Sequence, residues 1–188
     1  MHEGRHQTVP VTPFIRVGVF VRTRAGQPGG LSQEPEVAFG AVADFSSSAR
    51  WDPGVVAAER VGDGATAPSD VGAVYRLTVT LRGRASEMTY RTAEYRRPDR
   101  VVLEGVGPRI ATSDTIEFAR LDGGGTRITY VADLRLTGLA KVAEPFLGRS
   151  FDEMGKRALA GMKAWFAERP AHPGYGHGRG GPDGRSGD

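Results

Sequence analysis

Apolar positions along this chain follow two periods, one through most of the sequence and another at its end. Within residues 14–23, Ile15, Val17, Val19 and Val21 occupy one phase and Arg16 and Arg22 the other. That alternation is the mark of a half-buried strand. Residues 34–44 then carry Val37, Ala38, Ala41 and Val42 at helical spacing, continuing to Phe45, which predicts a short amphipathic helix. Ser46-Ser47-Ser48 supplies capping hydroxyls for a second short helix reaching Trp51. Asp52-Pro53-Gly54 breaks the chain.

Beyond that break the pattern predicts strand after strand, over 55–61, 71–81, 87–95, 101–106, 112–121 and 126–136. In the second of these, Tyr75, Leu77, Val79 and Leu81 are in phase, against Arg76, Thr78, Thr80 and Arg82. In the fifth, Asp114 shares the inward phase of Ile116 and Phe118. The last places Ile128, Tyr130, Ala132, Leu134 and Leu136 inward, and Asp122-Gly123-Gly124-Gly125 before it is a hairpin signal. Short turns and one polar face predict a continuous antiparallel meander.

After Gly138 the period changes. Leu139, Val142, Ala143, Leu147, Phe151, Met154, Ala158, Met162 and Trp165 recur at mostly three and four residues, so a long amphipathic helix is expected. Pro145 suits the first turn of a helix and not its interior. A short helix before it and a long one starting at or just before it follow, with Pro170 as the exit. The turn-rich stretch 25–33 and the Gly/Pro-rich tail offer little to bury. The expected organisation is a disordered segment at 1–13, one α+β domain at 14–168 and a disordered tail at 169–188.

Composition narrows the chemistry. The chain has 188 residues, a net charge of +3 and no Cys. No disulfide or thiolate chemistry is available. The arginines are scattered, so the clustered basic face of a nucleic-acid binder is missing and no nucleic-acid partner is expected. No run approaches the roughly 18 apolar residues of a membrane span, so membrane insertion is not expected either. Nothing near Met1 looks like a signal peptide, which makes the cytoplasm the expected location. All four histidines, His2, His6, His172 and His177, lie near the ends. Zinc sites, Ser-His-Asp and Cys-His arrangements are therefore not expected in the folded body, and no metal or cofactor is implied.

Three stretches resemble a known superfamily. One is Pro35-Glu36-Val37-Ala38-Phe39, with Asp44-Phe45 and then Trp51-Asp52-Pro53-Gly54-Val55. Another is Asp114-Thr115-Ile116-Glu117-Phe118. The third is Gly124-Gly125-Thr126-Arg127-Ile128-Thr129-Tyr130, followed by Asp133-Leu134-Arg135-Leu136-Thr137-Gly138. Together they resemble the SRPBCC superfamily of START-like helix-grip proteins, within it the polyketide cyclase/dehydrase and lipid transport group. The resemblance spans about 14–168. It implies a curved antiparallel sheet of six to seven strands around a long C-terminal helix, with two short helices after strand one. Its usual pattern has only a few residues between the first strand and helix, where this chain inserts 25–33.

The resemblance also implies a cavity between the concave sheet face and the long helix. Combined with the periodicities, it nominates a lining of Trp51, Tyr75, Leu77, Val79, Met88, Tyr90, Ile116, Phe118, Tyr130, Leu134, Phe151, Met154 and Met162. Apolar walls with a few phenols suit a lipid, polyketide, sterol or aromatic molecule in a space of roughly 300–1,000 Å³. Trp51-Asp52-Pro53 is expected to close one end, with Trp51 packing at the rim. Gly155 and Gly161 inside the helix each cost roughly 1 kcal/mol against Ala, so room or close approach is expected there. Asp114 is expected to point inward, where a buried carboxylate must be paired or stay protonated, with Arg109 a nearby candidate partner. Three readings follow: a binding or transport protein for a small apolar ligand; a polyketide cyclase, aromatase or dehydrase using Asp114 with Tyr90 or Tyr130; and a protein-interaction module. The first predicts no convergent acid/base groups, the second predicts them, and the third predicts a collapsed interior and an exposed apolar patch.

Overall fold

The structure is a computed structural model that describes residues 15–22, 34–62, 70–81, 83–136 and 144–168. Of these, 15–22, 81 and 144–152 are described by backbone alone. The expected disordered ends, the 25–33 insertion, the short helix before Pro145 and the Phe151 side chain lie outside the described residues.

Seven strands form one antiparallel sheet in the order β1-β7-β6-β5-β4-β3-β2. They are β1 (Ile15–Arg22), β2 (Val55–Val61), β3 (Val74–Leu81), β4 (Arg84–Arg96), β5 (Arg100–Val106), β6 (Ile110–Arg120) and β7 (Thr126–Leu136). From β2 to β7 the chain is the expected meander, each strand pairing with the next. The insertion leaves strand one paired: β1 runs antiparallel to β7 from Ile15 opposite Leu134 to Arg22 opposite Arg127. Register shifts between Val55 and Ala57 and between Thr92 and Glu94 mark bulges, which bend a sheet toward one face. The β6–β7 hairpin turns through Gly124 and Gly125, both at positive φ (82° and 87°), backbone that side chains resist.

Strand β3 begins three residues later than the alternation suggested. Asp70–Ala73 forms a turn instead, with the Ala73 N–H donating to the Asp70 carbonyl at 3.1 Å and Val71 exposed.

Among the described residues, two short helices and a 3-10 turn lie between β1 and β2: α1 (Pro35–Val42), the turn Phe45–Ser47, and α2 (Ser48–Trp51). The face of α1 differs from the expected one. Pro35, Ala38, Phe39 and Val42 are buried, while Val37 is 47% exposed. Phe39 packs edge-on against Tyr95 and Phe118, with ring centres 4.9 and 5.3 Å away. Ser47 stands at the N-cap of α2 as expected but makes no side-chain capping bond. Its hydroxyl accepts instead from the buried Trp51 indole N–H at 3.1 Å, while Asp44 caps the 3-10 turn, accepting from the Ser46 N–H at 3.1 Å. Ser47→Ala is therefore expected to lower stability by ~1 kcal/mol, because a buried donor loses its acceptor. An unchanged urea midpoint would mean that the indole finds another partner.

The long helix α3 (Glu144–Ala167) starts one residue before Pro145, as the proline required. Its buried side chains Ala158, Met162 and Phe166 recur every four residues and join the core made by the inner sheet face and the short helices. This is the α+β helix-grip arrangement.

Candidate functional site

The concave face is not lined evenly. Toward α1, aromatic rings fill the space. Between the middle of the sheet and α3 they leave a cavity of about 120 Å³. Seven of the nominated residues line it: Leu77, Val79, Met88, Tyr90, Tyr130, Leu134 and Met154. Asp114 lines it as well.

Five nominated residues do not. Phe118 is covered by Phe39 of α1. Tyr75, Ile116 and Met162 are fully buried in packed core. Trp51 is no rim residue: it is 2% exposed and stands behind the wall, edge-on to Tyr130 with ring centres 6.2 Å apart. Strand phase told which face these side chains take but not what covers that face. The volume also corrects the expectation of several hundred cubic ångströms, since Phe45, Tyr90 and Tyr130 project into the same space.

Residues outside the nominated set complete the lining. Asp52 and Gly54 come from the break after α2, Phe45 from the 3-10 turn, and Thr112 and Ile110 from β6. Thr112 and Ile110 were legible, being two and four residues before Asp114 in the same phase. Asp52 had no periodic signal, because a loop has no repeating face; it came into view only as part of the Trp51-Asp52-Pro53 segment expected to close one end.

The polar end is built around Asp114, which is 2% exposed. Arg109 is exposed and is not its partner. The Tyr130 hydroxyl donates to one carboxylate oxygen at 2.7 Å, and the Thr112 hydroxyl donates to the other. All three residues project from the paired strands β6 and β7, with Thr112 opposite Leu134 and Ile116 opposite Tyr130, so strand pairing holds them together. Burial raises the Asp114 pKa to about 6, against the two hydroxyl hydrogen bonds that lower it, and the charges of Asp52 and Asp133 push the same way as burial. Burial, then the charge of Asp114, holds the phenols of Tyr90 and Tyr130 well above their ordinary range. Both phenols therefore keep their protons. Asp52 is also raised, by burial first, while the Gly54 N–H at 2.8 Å and the charge of Arg157 oppose this.

Tyr90 lies across from this cluster. Its only hydrogen-bond contact among the described residues is a long one of 3.9 Å to the Met88 sulfur, so its O–H is available to a guest. Gly105 on β5 makes room for it, since a Cβ there would lie 2.5 Å from the Tyr90 ring and 2.6 Å from Thr112. The site can thus offer a guest one free phenolic donor, carboxylate and hydroxyl acceptors, and a proton that moves near neutral pH. A second cleft, of about 500 Å³, is edged by Glu36, Arg96, Glu117 and Arg120. It is an open surface groove with exposed ion pairs and no apolar enclosure.

Among the described residues, no helix is long and apolar enough to cross a membrane. No curated protein matches the chain by sequence. Solved structures do match its fold. One is the Zhui aromatase/cyclase from Streptomyces sp. R1128, at 14% identity and a TM-score of 0.59, covering 81% of this chain and 90% of that one. TTHA0849 from Thermus thermophilus matches at 14% identity and a TM-score of 0.61, covering 82% and 97%. A START superfamily protein from Mycobacterium smegmatis matches at 12% identity and a TM-score of 0.52, covering 76% and 96%. Residues 32–167 match the family described as "Polyketide cyclase / dehydrase and lipid transport". That match runs from the residues before α1 to the end of α3, through every element that encloses the cavity, and the chain belongs to this family.

Proposed function

We propose that this chain binds a small, largely apolar molecule in the cavity between sheet and α3, with the polar end of the guest against Asp114, Tyr130 and Tyr90. The observation that carries this reading is the apolar space itself, walled by Leu77, Val79, Met88, Leu134 and Met154 and polar mainly where Asp52, Asp114 and the phenols meet. Binding sites of this kind combine apolar walls with a few placed polar groups. A cavity of about 120 Å³ is close to the ~150 Å³ of an engineered cavity that takes benzene. One ring, or the end of a chain whose remainder leaves through the mouth, is the size of guest that fits.

The test is native mass spectrometry of freshly purified protein beside an Ala132→Trp variant, in which the indole fills the space next to Tyr130. A small molecule carried by the wild type and missing from the folded variant is the expected result. Equal loading of both proteins, or bare protein in both, would count against the reading.

A second reading, acid/base catalysis on the guest, has in its favour the convergence of ionisable groups that simple carriage was expected to lack. Asp114, with a pKa of about 6, touches a phenol, and two such groups converge on one space. A group titrating near the working pH serves best as general acid or base. The cyclase and dehydrase branches of the family fit such a pair, and proximity would do the rest for a flexible poly-keto chain. Turnover of such a chain whose pH profile breaks near 6, with the break lost in Asp114→Asn, would favour this reading over simple carriage. A protein-interaction role, which requires a collapsed interior, has the cavity against it.

A further inference from the structure

We infer that the cavity selects by charge: it takes a neutral or cationic guest whose polar end donates a hydrogen bond, and it rejects anions such as free carboxylates. This rests on the cavity-binding reading and says which members of the apolar ligand class enter.

Acids and hydroxyls make up the polar lining. Among the described residues the cavity is lined by two carboxyls, Asp52 and Asp114, and by no Arg or Lys. The remaining polar side chains are the hydroxyls of Thr80, Ser86, Tyr90, Thr112 and Tyr130. Two of those hydroxyls are already committed. Tyr130 and Thr112 donate to the two oxygens of Asp114, so toward a guest they present lone pairs. A carboxylate has about four acceptor positions, and two remain on Asp114. The Asp114 end therefore accepts, and the hydroxyls of Tyr90, Thr80 and Ser86 are the donors left over. A hydroxyl or ammonium satisfies this arrangement. A carboxylate would bring its own negative charge beside Asp114 in a space of low polarity, where like charges repel far more strongly than in water.

The charged surroundings point the same way. Asp114 feels the charges of Asp52 and Asp133, and Tyr90 and Tyr130 flank it from β4 and β7. Among the described residues, Arg157 of α3 is a cation that acts on this group of acids, through Asp52, and it is exposed. The ionised fraction of Asp114 grows as pH rises through about 6, so rejection of anions should strengthen over that range.

Three probes of nearly equal shape test this: benzyl alcohol, benzylamine and benzoate, titrated into the full chain and followed by NMR. At pH 8 the alcohol and the amine should each bind at least tenfold more tightly than benzoate. At pH 5 benzoate is still ionised, since simple carboxylates titrate near ~4, and the gap should narrow. In Asp114→Asn the gap at pH 8 should fall below threefold. Asp52→Asn, which leaves the β6–β7 cluster intact, should narrow it partly and serves if the first variant melts early. Benzoate binding within threefold of benzyl alcohol to the wild type at pH 8 would overturn the charge selection and leave the cavity reading standing. Failure of all three probes to bind would overturn both.

Discussion

Asp114→Asn is expected to make the protein more stable at pH 8, by up to ~3 kcal/mol, and to leave it nearly unchanged at pH 4. The sign follows from where the proton is held. Asp114 has an ordinary pKa of 3.8 that folding raises to about 6. Between those values the folded chain keeps a proton that the unfolded chain has released. Stability from this group is therefore complete below the unfolded pKa and is lost as pH rises through the folded one. Each pKa unit corresponds to about 1.4 kcal/mol, which gives the ~3 kcal/mol at neutral pH and above. An asparagine has the same shape, takes no charge, and offers an oxygen to one hydroxyl and an amide to the other. The difference between variant and wild type isolates Asp114 from the remaining carboxylates. Urea unfolding of both proteins from pH 4 to 8 measures it, and parallel stability curves would show that burial does not strain the carboxylate. A residue whose charge costs this much and whose removal is structurally simple is a candidate for retention by function rather than by fold.

Gly161→Ala should act in the opposite direction, lowering stability by ~1–3 kcal/mol. Taken alone, alanine in a helix is favoured over glycine by up to ~1 kcal/mol. At Gly161 a Cβ would overlap the carbonyl oxygen of Trp51 and come within 3.0 Å of Pro53 Cδ. The oxygen belongs to the main chain at the end of α2 and cannot rotate aside as a side-chain tip would. Either α3 or the Trp51–Gly54 segment must move, and Asp52 and Gly54 of that segment line the cavity. Weaker binding of the benzyl alcohol probe should accompany the loss of stability. Gly40→Ala is the control. Gly40 is exposed in α1 with nothing within 4 Å of its added Cβ, so there the same change should stabilise by ~0.5–1 kcal/mol. If both variants gained stability alike, the close approach of α3 to α2 would be wrong.

These two residues stood differently in the sequence. The phase of Asp114 with Ile116 and Phe118 already turned it inward, because side chains on a strand alternate whatever the strand packs against. Its partners were not legible: the nearby Arg109 suggested an ion pair, whereas Thr112 and Tyr130 hold it. Gly161 announced a helix-interior cost and therefore a reason for it. That the reason was the backbone of Trp51, and not space for a guest, depends on a contact more than a hundred positions away in the chain.

What the sequence determined by itself was local and periodic. Period two laid out the meander with its boundaries within a few residues, period 3.6 and Pro145 placed α3 and its start, and Asp122–Gly125 set the β6–β7 turn. Each of those signals is written in residues that are neighbours in the chain. The tertiary structure decided which inward residues face open space and which are covered. Phe39 of α1 closes over Phe118, and Trp51 sinks behind Tyr130, while Phe45 arrives from the 3-10 turn and Asp52 from a break that carries no period. It also decided the size of the cavity, which is a small remainder between large side-chain volumes. Periodicity reports the direction of a side chain; only the packed whole reports what is left between them.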